Sequence, residues 1–203
     1  MKSAMGYAKR YAAASRKYRP GSLKLLFIAE SPPALKSGRF FYFVSLTDGD
    51  TLFLEMMKVL YPIATGFTGR SGHRKPDFRA KCIRQQKKEY LEKFKSDGFY
   101  LIDASEQPMP ADADNSIKTR IIRAALPSLR KKTRDLCSRD NVPVILIGSP
   151  AYSVCAEALK KDGLRVLNEE MINHPSRGGQ RLFRRKLHKV FRKFAIRTSD
   201  GNF

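Results

Sequence analysis

Apolar residues along the chain gather into four short runs of strand length, residues 23–29, 99–103, 142–147 and 164–167, each next to a turn-forming residue. Between them apolar positions recur at helical spacing. Residues 48–60 carry Leu52, Met56, Val59 and Leu60 before Tyr61-Pro62 ends the pattern, a charged stretch over 76–95 opens at Pro76, and residues 117–137 resume the same period. The run over 142–147 passes through Gly148-Ser149-Pro150 into another helix, with Ser149 as N-cap and Pro150 in the first turn. The last helix, residues 180–197, collects Leu182, Phe183, Leu187, Val190, Phe191 and Phe194 on one side and Arg181, Arg184, Arg185, Lys186, Lys189, Arg192 and Lys193 elsewhere. It packs inward and turns charge outward. Strands alternating with helices predict an α/β fold, a three-layer sandwich in which helices flank a short, mainly parallel four-stranded sheet.

The connections place chemistry at the sheet's carboxyl edge, where open α/β sheets bind ligands. The first run ends in Ala29-Glu30-Ser31-Pro32-Pro33, so Glu30 leaves the sheet at that edge. The fourth run leads to Asn173-His174-Pro175-Ser176, with Pro175 stiffening the backbone behind the imidazole. An acid and an imidazole are thus expected to face one cleft. Residues 35–44 form an aromatic loop around Phe40, Phe41, Tyr42 and Phe43, and 106–114 an acidic surface loop. The glycine-rich, cationic loop over 65–75, with Arg70 and Lys75, suits a path along phosphates or a plain surface excursion.

Composition narrows the partner. With 203 residues, 42% of them hydrophobic, the chain is long enough for one well-cored domain over 1–203 and short for two. Lys and Arg number 40 against 19 acids, a formal charge of +21 that favours a polyanion, nucleic acid first. No apolar stretch approaches the roughly 20 residues of a membrane helix. Three widely spaced cysteines without a C-x-x-C pair point to a reducing cytoplasm and away from disulfide, zinc or iron–sulfur frameworks. Residues 1–24 hold seven cations and no acid, as transit peptides do, but read better as a basic first helix over 1–20 that Pro20-Gly21 ends.

At Ala29-Glu30-Ser31-Pro32-Pro33 and His174-Pro175-Ser176 the chain resembles the uracil-DNA glycosylase superfamily, whose first motif follows the first strand as G-E-A-P-G or a related form and whose second is H-P-S. Glu30 and Pro32 match the first motif, both of whose glycines are absent; the second matches in full. The order of intervening pieces is also similar, including the strand-to-helix turn at Leu146-Ile147-Gly148-Ser149. The branch with G-E-A-P-G holds an iron–sulfur cluster with four cysteines, and this sequence has too few, so no cofactor or metal is carried over.

The resemblance implies a monomeric, monofunctional DNA glycosylase that hydrolyses the N-glycosidic bond of a flipped-out uracil, the family's default, or of a modified pyrimidine, and leaves an abasic site. Such a reaction builds positive charge on the sugar and negative charge on the leaving base, which calls for a carboxylate on one side and a hydrogen-bond donor on the other. Glu30 would orient the attacking water and stabilise the sugar cation, and His174 would donate to the base carbonyl. Ala29 and Ser31 flank Glu30 in the motif that lines the base, and Phe43, in the F-V step Phe43-Val44, would stack on it. Asp103 stands at or next to the position where many members carry a base-reading asparagine. An ionised aspartate only accepts, so it suits a cytosine-like amino edge over a uracil carbonyl and points to a modified cytosine, as in foreign DNA. Pro33 and Ala34 stand where some members carry a tyrosine that excludes bulky 5-substituents. Residues 176–180 are placed like the insertion loop, with Arg177 as wedge. Ser149, Ser176, Arg177, Gln180, Arg181 and Arg184, with Arg70 and Lys75, make up the expected DNA contacts. The rival reading is a non-catalytic DNA- or RNA-binding protein on the same fold.

Overall fold

A computed structural model describes residues 4–34, 39–45, 50–67, 78–110, 112–137, 140–176 and 178–202. At its centre β1 (Leu25–Ala29) lies between β2 (Phe99–Asp103) and β3 (Val144–Leu146), and all pairings are parallel, with Ala29 opposite Asp103 and Ile28 opposite Leu146. Every residue of β1 is buried, the pattern of a central strand covered on both faces. The flanking helices are α1 (Ala4–Lys17), α2 (Thr51–Leu60), α3 (Pro62–Thr65), α4 (Phe78–Gln85), α5 (Lys87–Ser96), α6 (Asn115–Cys137), α7 (Ser149–Lys161) and α8 (Gln180–Lys193). Phe27 of β1 stacks on Phe94 of α5 and Phe191 of α8, with ring centroids 5.8 and 6.4 Å apart, which ties both helices to the sheet. No helix among the described residues is long and apolar enough to cross a membrane.

The expected fourth strand over 164–167 is not formed. Val166 and Ile172 each make one isolated parallel bridge, to Val144 and Ile147. Between them the fully buried Asn168 carboxamide takes the place of backbone: it accepts from the Leu146 N–H at 2.9 Å and donates to the Leu146 carbonyl at 3.2 Å. Backbone satisfies the β3 edge at Val144, whose N–H donates to the Arg165 carbonyl at 2.8 Å and whose carbonyl accepts from the Leu167 N–H at 2.9 Å, and a side chain satisfies it at Leu146. The opposite edge is blunted in the same way. The Tyr42 hydroxyl accepts from the Leu101 N–H at 2.7 Å and donates to the Leu101 carbonyl at 3.0 Å, occupying groups that an edge strand leaves open.

Three helix expectations also change. The expected start at Pro76 lies outside the described residues, and from Phe78 onward the stretch is two helices, interrupted at Gln86. Gly148, not Ser149, caps α7; its φ of 99° lies where glycine is favoured, and Ser149 is the first helical residue with no capping bond. The last helix stops at Lys193 rather than 197, and the chain turns through Ala195 into a hairpin of β4 (Arg197–Thr198) and β5 (Gly201–Asn202). Asp200 in its turn accepts from the Ile63 N–H at 2.6 Å and from Lys93 Nζ at 3.0 Å, which docks the tail on α3 and α5.

Candidate functional site

Two chain segments meet at the carboxyl edge. The Glu30 carbonyl still takes part in strand pairing, accepting from the Ser105 N–H at 3.1 Å, while its side chain turns toward the end of β3. There Gly148 makes room: a Cβ on it would lie 2.3 Å from Glu30 Oε1. The Gly148 N–H donates to the Ile172 carbonyl at 2.7 Å and so anchors the start of the segment that carries His174. Gly179 fits beneath that segment, since a Cβ there would come within 2.8 Å of the His174 carbonyl oxygen.

Glu30 and His174 line one cavity of about 280 Å³, together with Ala29, Ser31, Phe40, Phe41, Asp103, Lys118 and Ser176. This is just under the range of drug-sized ligand pockets, roughly 300 to 1,000 Å³, and suits one small planar ring. Pro32, Phe40, Leu101 and Asp103 form a wall shared with a larger cavity of about 540 Å³ between α1, β2 and α6.

The site's charges are arranged around Glu30. Lys118 Nζ donates to Glu30 Oε2 at 3.1 Å from the first turn of α6, whose start is fixed by Asp114 Oδ1 accepting from the Ile117 N–H at 2.8 Å. Burial holds the His174 imidazole below its ordinary pKa, with Lys118 adding to the effect and Glu30 opposing it. His174 Nδ1 lies 3.1 Å from the Ser176 hydroxyl and 3.3 Å from the Ser176 N–H; with Nδ1 accepting from that N–H, the neutral ring carries its proton on Nε2 and donates from there. Asp103 has no hydrogen-bond donor among the described residues, and burial pushes its carboxyl up to about 7, with Glu106 and Glu30 adding to the rise and Lys132 opposing it. Burial thus favours the protonated Asp103 carboxyl, which can donate as well as accept, over the ionised, accept-only form expected from the sequence.

Other expected site residues are dispersed. Phe43 packs on Tyr11 and Phe40, with centroids 5.5 and 5.3 Å apart, under the Arg10 guanidinium, and does not line the cavity; Phe40 and Phe41 do. Ser31 donates to the Pro32 carbonyl at 3.1 Å. Arg184 is drawn inward to the buried Glu55 carboxylate and lies over the Phe67 ring, so phosphate contact by it is corrected to a structural ion pair. Arg181 is exposed on α8, while Ser149 and Gln180 are half-buried at their helix starts. Arg70, Lys75 and Arg177 lie outside the described residues. Lys118 and Gly148 are site residues that sequence reasoning missed, while Phe40 and Phe41 take, within the same aromatic cluster, the place expected of Phe43. Gly148 alone carried a usable signal, standing between a β-branched run and a proline-started helix.

Among the described residues no group of three or more His, Cys, Asp or Glu side chains is placed to hold a metal ion. No protein-family model matches the chain, and no curated protein matches it.

Proposed function

We propose that this protein is a DNA glycosylase of the uracil-DNA glycosylase type, hydrolysing the N-glycosidic bond of a flipped-out uracil or modified pyrimidine, including a modified cytosine of foreign DNA, to leave an abasic site. The observation that carries this reading is that Glu30 and His174, far apart in sequence, line one cavity sized for a single ring. In the reaction the Glu30 carboxylate orients water and stabilises the positive charge that develops on the sugar. His174 Nε2–H donates to the base carbonyl as charge moves onto the base, and the site needs no protonated imidazole to do so. Phe40 and Phe41 replace Phe43 as the aromatic surfaces on which the extruded base rests. Asp103 meets the base edge as an acceptor when ionised and as a donor when protonated, so it admits either an amino or a carbonyl edge.

The excess of 40 Lys and Arg over 19 acids supports a DNA partner. Arg181 and Arg185 are exposed on α8, which follows the His174 segment, and they would track the phosphates. In this reading the bridging segment over 166–172 stands in for the fourth strand of the family's sheet, and the chain acts in the cytoplasm as a monomer.

A second reading, a DNA- or RNA-binding protein without activity, draws on the Lys118 ion pair, which occupies one oxygen of the Glu30 carboxylate. Release of free base from duplexes carrying uracil or modified cytosines separates the two. Base release that falls about 10²- to 10³-fold in His174→Ala and in Glu30→Gln, with DNA affinity retained, supports the enzyme. Binding without release of any base from the panel supports the second reading.

A further inference from the structure

Lys118 brings a primary amine into the cavity, and base excision, the reading on which this inference rests, would leave an abasic sugar in front of it. We infer that the protein, in contrast to the monofunctional enzyme the resemblance implies, has a second activity, cleavage of the DNA strand at abasic sites through a Schiff base on Lys118. Among the described residues Lys118 is the only lysine that lines this cavity. Its side chain is 30% exposed and its Nζ lies 3.1 Å from Glu30 Oε2, so the amine is both reachable and next to a proton acceptor. The first turn of a long helix is a poor place for a cation, because the positive end of the helix dipole lies there. Glu30 is therefore the group that holds the amine in the cavity.

The abasic deoxyribose opens to an aldehyde at C1′. The amine, having lost its proton to Glu30 and through it to solvent, adds its lone pair to C1′. The resulting carbinolamine takes a proton from solvent onto its hydroxyl, which leaves as water, and a protonated imine remains. Glu30, adjacent to the same nitrogen, then takes a proton from C2′; the C–H electron pair becomes the C2′–C3′ double bond, and the C3′–O bond breaks. The downstream strand departs with a 5′-phosphate that keeps the bonding electrons. Water hydrolyses the unsaturated imine and returns the amine. No net oxidation or reduction occurs, and no co-reactant beyond water is needed.

The test uses the full chain and a duplex with a pre-formed abasic site, so that it does not depend on base excision. Sodium borohydride, which reduces the imine to a stable secondary amine, should yield a covalent protein–DNA complex whose adduct maps by peptide mass to Lys118. Without borohydride the same duplex should be nicked to the elimination product. Lys118→Arg, which keeps a cation beside Glu30 but no Schiff-base amine, should lower the cross-link by about tenfold or more. Lys161→Ala, at the exposed end of α7, should leave it unchanged. An equal unfolding midpoint for Lys118→Arg and the parent chain shows that the fold is intact. Absence of a cross-link, an adduct mapping elsewhere, or a cross-link that survives in Lys118→Arg overturns the inference. A protein that releases bases but gives no cross-link sinks the strand cleavage alone, whereas one that cross-links at Lys118 but releases no base sinks the excision alone.

Discussion

Replacing Asp103 by Asn keeps the size of the side chain and removes its titration, and the consequence can be worked out from the site. Burial at the end of β2, with Glu106 and Glu30 nearby, raises the Asp103 carboxyl from its ordinary 3.8 to about 7. Between these two values the folded protein binds a proton that the unfolded chain does not. Wild-type stability therefore falls as pH rises from about 4 to about 7, by about 1.4 kcal/mol per pH unit, on the order of 4 kcal/mol in total, and is flat in this group above that range. Asp103→Asn lacks this loss. The variant should thus gain on the wild type steadily from pH 4 to 7, with the gap constant at higher pH. Burial lowers the pKa of His174, which acts with the opposite sign: the unfolded chain binds the extra proton, so its contribution to stability is lost as pH falls below about 6.5. Both proteins carry His174, so it cancels in the difference. Urea unfolding of both proteins at intervals from pH 4.5 to 8.5 measures the gap. A constant offset from imperfect packing of the amide is irrelevant, because only the slope tests the reasoning. A gap that stays flat, or that narrows as pH rises, would refute the account of Asp103 as a buried, proton-holding carboxyl.

Gly148→Ala should cost at least about 2 kcal/mol, since the residue has a φ of 99° and its new Cβ would lie 2.3 Å from Glu30 Oε1; base release should fall further than the lost stability explains, as Glu30 is pushed aside. Tyr42→Phe leaves the Leu101 N–H and carbonyl without the hydroxyl that serves both, and thermal or urea unfolding should show a loss of about 1 to 3 kcal/mol. Asn168→Ala removes both bonds to Leu146 in a fully buried place, so a loss of about 2 to 4 kcal/mol is expected, with faster amide exchange at Leu146.

The fold was legible where one physical signal dominates. The three central strands are short apolar runs; along the expected fourth, backbone reaches β3 at Val144 and the Asn168 side chain takes over at Leu146, so pairing stops at isolated bridges. The break at Gln86 has no proline or glycine to announce it, and the tail hairpin depends on Asp200 finding N–H groups of α3 that are remote in sequence. In the site, Glu30 and His174 could be located because each follows a strand-like run. Among Phe40, Phe41 and Phe43 only tertiary packing decides which ring lines the cavity. Arg181 and Arg184 share a basic helix, yet the buried Glu55 draws one of them inward. Lys118 lies in an ordinary stretch of amphipathic helix, and nothing along the chain marks its meeting with Glu30.

The absent motif glycines at positions 29 and 33 bear on whether Glu30 has room to work. A glycine beside a functional carboxylate serves to admit a close neighbour, and that need can be met from another strand. Here Ala29 sits within the ladder opposite Asp103, with its carbonyl accepting from the Ala104 N–H at 2.8 Å, and its small, buried side chain lines the cavity without closing it. The clearance for Glu30 comes from Gly148 at the exit of β3, where any Cβ would fall inside contact distance of the carboxylate. Gly148 also takes up the positive φ that starts α7, and its N–H secures the segment leading to His174. One residue therefore sets the position of both groups on which the proposed chemistry depends, which is why a single methyl at 148 is a sharper probe of the site than restoring glycine at 29 or 33.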